Sequence, residues 1–581
     1  MNVATILRIS ALALSFVPTI PCWPKTSAWA AEPGGSETPV PRAARLAWWR
    51  EARFGMFLHW GPVSLKGTEI SWSRGAERRG IAGKGEVPVE VYDNLYKEFN
   101  PTKFDAKGWV ALARAAGMKY MVLTAKHCDG FCLWPTKTGD YYHIGNTPFH
   151  RDVCGELAKA AHEAGMRIGW YYSPMDWRDP DTRTERNPLY LARMRQHLRE
   201  LLGNYGQIDL LWFDWDCGPP LWDQPRTYPL VRGLQPWIIV NDRLDLGPNR
   251  PKYDQGIIDR NADYYTPEQQ VGGFDDRRPW ETCMTLGTQW SWKPRDEIKS
   301  LAECLHILLR CVGGDGNLLL NVGPMPNGQI EPRQADRLRE MGAWLAKYGE
   351  SVYGTRGGPF TPWKFGVSTR KDKTIFVHVF AWPGETMTLP PLPAKIVHSR
   401  LLGGGQVTVA QSGAGIRITV PPADQQEIDS VVALELDRPA GELRPVAVPG
   451  WGKSLAQGKP AKASNVLANS PGYAADKAFD GNDGTRWATD AGTRQAWLEV
   501  DLGAPEKFDT AYLAEAYPCR IQSFELQYLD GPAWKTFCKG TTIGEQWLRR
   551  FEPVTARRVR LNVLEATNGP TIWEFQLFKS P

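Results

Sequence analysis

From about residue 44 to residue 349, short apolar runs alternate with stretches whose apolar residues recur at helical spacing. The runs are Phe54–Trp60, Tyr120–Ala125, Arg167–Tyr172, Ile208–Phe213, Trp237–Asn241 and Asn317–Val322. Residues Ala106–Ala116 put Trp109, Leu112, Ala113 and Ala116 on one face. Residues Val153–Ala164 do the same with Val153, Leu157, Ala160, Ala161 and Ala164. Each pattern predicts a helix laid on a sheet. Strand–helix alternation over about 300 residues predicts a (β/α)8-like barrel for residues 44–350 rather than an open sheet. No G-x-G-x-x-G follows the first strand, so a dinucleotide-binding fold has no support.

Beyond residue 350 the period changes. Thr374–Phe380, Ile396–Leu402, Ile416–Val420 and Val431–Leu436 are short β-rich runs between Gly/Pro turns, predicting a β-sandwich over 351–437. A linker at 438–453 carries Pro439, Pro445 and Pro449. Strand-like segments return in Ala496–Leu502, Phe524–Tyr528, Arg557–Val563 and Trp573–Phe578, predicting a second sandwich over 454–581. The expected fold class is therefore multidomain. A chain of 581 residues exceeds a single ordinary core in any case.

At the N-terminus, Arg8, the apolar stretch Ile9–Val17 and Ala28-Trp29-Ala30 read as an export signal over residues 1–30, with a Gly/Pro-rich leader at 31–43. No run reaches the ~18 apolar residues a membrane span needs, so no membrane partner is expected. The formal charge of +5 is small for this length and argues against a nucleic-acid partner. Of ten cysteines, Cys22 leaves with the signal, so an odd number remains and at least one thiol is unpaired within the chain. Cys519 and Cys538 are a possible disulfide. Twenty-six tryptophans exceed what an ordinary core uses and suit stacking against sugar rings.

Each strand end of the first domain carries a polar group. Asp214 ends the fourth run with Asp216 close behind; His59 ends the first and His127 the second. Tyr171 and Tyr172 end the third, with Asp176 beyond, and Asn241-Asp242-Arg243 ends the fifth. Strand C-termini line one mouth of a barrel, so these groups converge. Imidazoles, carboxylates, an arginine and tryptophans there suit a polyhydroxylated ligand. A metal at His59, His127 and Asp129 has no H-x-H or H-E-x-x-H spacing behind it. A catalytic thiol at Cys128 has no signature either.

The strings FGMFLHWG (54–61), TAKHCDGF (124–131), LWFDW (211–215), VNDR (240–243) and GGDGNLLLNVGP (313–324), with YGESVYGTRGGPF (348–360), together resemble the α-L-fucosidases of glycoside hydrolase family 29. The resemblance covers residues 44–436. It implies a retaining exo-fucosidase that needs no cofactor for catalysis and acts on fucosylated glycans. In such an enzyme one carboxylate attacks the sugar and a second protonates the leaving oxygen. On this resemblance Asp214 is the nucleophile, and His59, Glu69, Trp72, His127, Tyr171, Tyr172, Arg243 and Trp280 line the substrate. Two glutamates are candidates for the acid/base: Glu268 in a T-P-E segment, which fits better, and Glu281 in a W-E string. Many family members have two adjacent histidines where this chain has His127-Cys128, which implies a lost sugar contact of ~1–3 kcal/mol. Other readings of the same residues are a carbohydrate-binding protein with a catalytically impaired barrel, or an exo-glycosidase for a related 6-deoxy or L-configured sugar.

Residues Ala478–Trp487 (AFDGNDGTRW), Trp497–Gly503 and Trp573-Glu574-Phe575 resemble the discoidin-type modules that bind carbohydrate. That resemblance implies a structural Ca²⁺ held by Asp480, Asp483, Thr485 and Glu574, a ligand set suited to a hard cation.

Overall fold

A computed structural model describes residues 40–78, 83–139, 142–214, 221–244, 261–382, 384–448, 453–482, 484–517, 520–544 and 546–579. The export signal, nearly all of the leader, Asp216, Asp483 and Cys519 lie outside the described residues.

Seven strands form one parallel sheet: β1 (Phe54–Leu58), β2 (Tyr120–Lys126), β3 (Arg167–Tyr172), β4 (Leu210–Phe213), β5 (Ile239–Val240), β6 (Glu281–Thr285) and β7 (Asn317–Val322). Their order is β5-β4-β3-β2-β1-β7-β6. The two edges meet through the segment from Tyr264 to Glu268. Parallel bridges join Asn241 to Tyr264, Tyr265 to Trp280 and Glu268 to Cys283. The sheet thereby closes into a ring whose eighth stave is held by single bridges rather than a ladder.

The apolar pattern marks no strand between 241 and 317, yet residues 264–285 supply the eighth stave and β6. In β6, Glu281, Cys283 and Thr285 share the inward phase while Met284 faces the helices, so no inward apolar alternation marks the strand.

Helices α1 (Arg42–Ala52), α2 (Val89–Tyr92), α3 (Ala106–Ala115), α4 (Val153–Glu163), α5 (Asn187–Gly203), α6 (Gln224–Leu234), α7 (Leu301–Gly313) and α8 (Pro332–Tyr348) accompany the strands. Asp152 caps α4 by accepting from Gly155 N at 2.9 Å, and Ser300 caps α7 by accepting from Glu303 N at 3.0 Å. Each side chain satisfies a backbone donor that the first helical turn leaves open.

The two-residue period of the strands sorts their side chains. Phe57, Tyr171, Leu210, Trp212, Ile239, Tyr264, Cys283 and Leu319 fill the barrel interior together with Trp49 of α1. Their neighbours Met56, Leu58, Trp170, Tyr172, Leu211 and Phe213 belong to the helix-facing core. Tyr172 therefore points away from the mouth, its hydroxyl 3.0 Å from His197 Nδ1 of α5. The tyrosine pair resolves by phase alone: Tyr171 faces in, and the expected substrate contact of Tyr172 is not available to it.

The floor of the barrel holds two further residues assigned to the mouth by resemblance. Trp280 is fully buried and its indole donates to Gly314 O at 3.2 Å. A Cβ on Gly316 would stand 2.3 Å from that ring, which explains a glycine there. Glu281 starts β6, at the end opposite the mouth. Its Oε2 accepts from Trp49 Nε1 at 3.1 Å and from the Tyr120 hydroxyl. Burial raises its carboxyl to about 7. Neither residue reaches the rim.

Residues after α8 form two apposed sheets. One is β12 (Ile396–Leu401), β15 (Ser430–Leu436), β10 (Thr374–Val379), β9 (Gly366–Lys371) and β8 (Arg356–Gly357) in that order; the other is β11 (Thr386–Leu389), β14 (Gly415–Thr419) and β13 (Thr408–Ser412). Ile375, Val377, Ile416, Ile418, Val432 and Leu434 are buried between them.

The C-terminal module contains β16 (Ala461–Ala463), β17 (Trp487–Ala488), β18 (Ala496–Glu515), β19 (Ile521–Asp530), β20 (Ala533–Gly540), β21 (Trp547–Ala566) and β22 (Thr571–Phe578). Strands β18 and β21 are 20 residues each and pair through register shifts at Asp501/Glu506 and Phe508/Thr510. Bulges of this kind bend a strand, so both serve the two layers of a sandwich around one core. The module rests on the preceding sandwich through a buried cluster of Phe365, Tyr512, Ala514, Leu548 and Phe578.

Candidate active site

The inward phase of each strand continues to the rim. His59 lies two residues past Phe57, Asp214 two past Trp212, and Asn321 two past Leu319, so all three project over the same mouth. Tyr171 joins them from β3, its hydroxyl donating to Asp214 Oδ2 at 2.7 Å.

Arg243, just beyond β5, organises the carboxylates. Its Nη1 lies 2.9 Å from Asp214 Oδ1 and 2.7 Å from Glu268 Oε2. Sharing one nitrogen keeps those two oxygens within about 5.6 Å of each other. The guanidinium is itself fixed: Nε donates to Thr266 Oγ1 at 2.9 Å, and the plane sits 4.5 Å from the ring of Trp212. Burial works against the charge on Asp214, but Arg243, the Tyr171 hydroxyl and nearby His127 outweigh it and hold the carboxyl below its ordinary range.

The two histidines are neutral above about pH 4, and below it a protonated His127 joins Arg243 in favouring the Asp214 carboxylate. Burial, reinforced by His127, pushes His59 down to about 3, and burial pushes His127 down to about 4. Asn321 fixes the tautomer of His59. Its Nδ2 donates to Trp290 O at 2.7 Å, which turns Oδ1 toward His59 Nδ1 at 2.7 Å. Nδ1 thus carries the hydrogen and Nε2 is left as an acceptor, able to take a hydroxyl hydrogen. His127 Nδ1 lies 2.6 Å from Ser71 Oγ, and its ring stacks on Tyr171 with centroids 5.3 Å apart.

Of the remaining expected contacts, Trp72 stands at the rim, 37% exposed, edge-on to Trp177 and under Arg78. Glu69 is half-buried and accepts from Trp290 N at 2.8 Å and Ser291 N at 3.2 Å, so its carboxylate braces the loop that carries Trp290. Cys128 is fully buried in the helix-facing core, with its sulfur 3.3 Å from Ser173 Oγ. Its thiol is not part of the mouth, so this position offers a sugar no contact.

Two residues escaped the sequence reading. Asn321 was legible in principle, since it continues the inward phase of β7. Trp290, whose ring lies 4.8 Å from that of His59, comes from a loop and had no periodic signal.

In the C-terminal module, Asp480 Oδ1 accepts from Asn482 N at 2.9 Å and Oδ2 from Thr485 Oγ1 at 2.7 Å. Glu574, on β22, is fully buried and its Oε2 accepts from Gln576 Nε2 at 3.0 Å. Among the described residues no three His, Cys, Asp or Glu side chains converge as metal ligands, and Asp483 is outside them.

Comparison with known proteins matches this geometry. A family described as "Alpha-L-fucosidase" matches residues 35–350, and an "F5/8 type C domain" matches 460–575. The alpha-L-fucosidase of Branchiostoma floridae is 28% identical over 467 residues, 73% of this chain and 96% of that protein. Plasma alpha-L-fucosidase of Homo sapiens is 28% identical over 408 residues, 64% of this chain and 85% of its own length. Among solved structures, alpha-L-fucosidase isoenzyme 1 from Paenibacillus thiaminolyticus superposes with a TM-score of 0.62 at 32% identity, covering 68% of this chain and 99% of that one. A Bacteroides thetaiotaomicron alpha-L-fucosidase, trapped as a covalent intermediate with 2-fluoro-fucosyl fluoride, superposes at 0.60 with 26% identity, covering 69% and 98%. A family match over more than half its length, on a closed parallel barrel with these groups at its mouth, establishes that the chain belongs to the alpha-L-fucosidases of glycoside hydrolase family 29, with an F5/8 type C module appended.

Proposed function

We propose that this chain removes terminal α-L-fucosyl residues from glycans by double displacement, with Asp214 as nucleophile and Glu268 as acid/base. Glu268 protonates the departing glycosidic oxygen while an Asp214 oxygen bonds to the anomeric carbon. Glu268 then takes a proton from the water that breaks this ester, so configuration is retained. The observation that carries the assignment is the sharing of Arg243 Nη1 by the two carboxyl groups. A separation within about 5.6 Å matches retaining enzymes and is too short to seat a water for direct displacement. Glu281 is at the opposite end of the barrel, against Trp49 and Tyr120, and has no route to a leaving group at the rim.

The other groups support the two steps. Arg243 and Tyr171 keep Asp214 ionised, as attack requires. His59 Nε2 accepts from a sugar hydroxyl, and Trp72 and Trp290 offer faces for the apolar side of the ring. Trapping with a 2-fluoro-fucosyl fluoride and peptide mass spectrometry tests this: the label is expected on Asp214, and a label on any other residue refutes the assignment.

The protein's place is outside the cytoplasm, on the strength of the N-terminal export pattern; no helix among the described residues is long and apolar enough to cross a membrane. Asp480, Thr485 and Glu574 would hold one Ca²⁺ bracing the C-terminal module, as the resemblance to F5/8 type C modules implies; Thr485 Oγ1 already lies 2.7 Å from Asp480 Oδ2 in one turn, and such oxygen donors suit a hard cation. Such an ion has no part in hydrolysis.

A further inference from the structure

A cleft of about 650 Å³ lies between the barrel and the C-terminal module. Its barrel wall is Thr288, Asp296, Ser300 and Arg337; its opposite wall is Tyr517 and Arg520 of the module. We propose that it is a second sugar subsite, holding the residues of a neutral glycan to which the scissile fucose is attached. This deepens the fucosidase reading and rests on it.

Three observations point there. The first is continuity with the active site. One short loop serves both places: Trp290 faces His59, while Thr288 lines the cleft. Two residues of backbone span at most about 7 Å, so the cleft wall at Thr288 lies within that distance of the Trp290 backbone. The loop is pinned on both flanks. Glu69 accepts from Trp290 N at 2.8 Å, and Asp296 accepts from Thr288 N at 2.8 Å.

The second is chemistry. The lining mixes donors with acceptors, and its cations have partners. Arg337 pairs with Glu340 at 2.9 Å, and the Arg520 guanidinium covers the ring of Tyr517 at 3.8 Å. Asp296, Glu297 and Glu303 nearly balance Lys299, Arg333, Arg337 and Arg520. A nearly neutral lining that offers hydroxyls suits uncharged sugars better than an anionic ligand.

The third is rigidity. The module is seated by the buried Phe365–Tyr512–Ala514–Leu548–Phe578 cluster, with Lys364 Nζ donating to Gln576 Oε1 at 3.0 Å. Tyr517 lies two residues past the end of β18, whose Tyr512 and Ala514 belong to that cluster, and Arg520 immediately precedes β19, so the seat holds this wall of the cleft.

The test uses the full chain with an aryl α-L-fucoside and with fucosylated oligosaccharides of two to five residues. Wild-type kcat/KM should rise with oligosaccharide length. Tyr517→Ala and Arg337→Ala, on opposite walls, should each remove about tenfold of that rise. Hydrolysis of the aryl fucoside and the melting temperature should stay at wild-type values. Either of two outcomes overturns the subsite: a wild-type length dependence retained in both variants, or a parallel loss on the aryl fucoside. If the wild-type enzyme cleaves no fucoside at all, the underlying activity fails instead, and the two failures are distinct.

Discussion

Replacing Arg243 with glutamine should move the acidic limb of the pH–rate profile upward. Catalysis needs ionised Asp214, so rate falls as pH drops through the pKa of that carboxyl. In the native enzyme burial opposes ionisation, and Arg243, Tyr171 and His127 reverse the balance, leaving the carboxyl below its ordinary 3.8. The acidic limb of the wild type should therefore lie below that value. Removing the guanidinium deletes the leading favourable contribution and leaves burial opposed only by Tyr171 and His127. Two unit charges about 4 Å apart at an effective dielectric constant of about 20 interact by about 4 kcal/mol. At about 1.36 kcal/mol per pKa unit, that is roughly three units. The Asp214 side chain is 22% exposed and keeps its Tyr171 bond, so water and the hydroxyl recover part of the loss. The expected shift is about one to two pH units, against the one to three typical of a carboxylate beside an arginine. The assay is kcat/KM for an aryl α-L-fucoside from pH 3 to 8, with melting curves to confirm folding. An Arg243→Gln enzyme that is folded and active, with its acidic limb where the wild type has it, would refute the reasoning.

Further outcomes are expected. Asp214→Ala should abolish turnover on every fucoside, and activity near wild type would remove the nucleophile from the proposal. Glu268→Ala should slow substrates with poor leaving groups by orders of magnitude and activated aryl fucosides much less, because the latter need little proton donation. The same pattern from Glu281→Ala instead would reverse the acid/base assignment. Glu281→Gln should act on stability. A carboxyl raised from 4.5 unfolded to about 7 folded contributes stability that is fully present below pH 4.5 and lost as pH rises through about 7. That is about 3 kcal/mol over the window, so the variant should melt at a temperature that varies less between pH 4.5 and 7; an unchanged slope would contradict it. Chelation with EDTA should lower the melting temperature of the C-terminal module and added Ca²⁺ restore it, while Asp480→Ala should be insensitive to both; equal melting with and without Ca²⁺ would argue against the ion.

Much of this protein was readable along the chain. The apolar runs gave six of the seven sheet strands, and the change of period at about residue 350 marked where the barrel gives way to sandwiches. Motif order gave the family, and the position of Asp214 at the end of β4 gave its place at the mouth. What the sequence left open was settled by side-chain phase and by closure of the ring. Tyr171 and Tyr172 are adjacent in the chain, yet a strand sends them to opposite faces. Only pairing with neighbours tells which face is inside. Glu268 and Glu281 both sit in a stretch without alternation, and only closure of the ring sets the first beside Arg243 and the second at the opposite end of the barrel. Trp290 and Tyr517 reach the mouth and the cleft from loops, held there by distant partners such as Glu69 and the Phe365 cluster. Local periodicity records how much apolar surface a segment must bury. It does not record which distant segment covers that surface, and that is decided only when the barrel closes and the module docks.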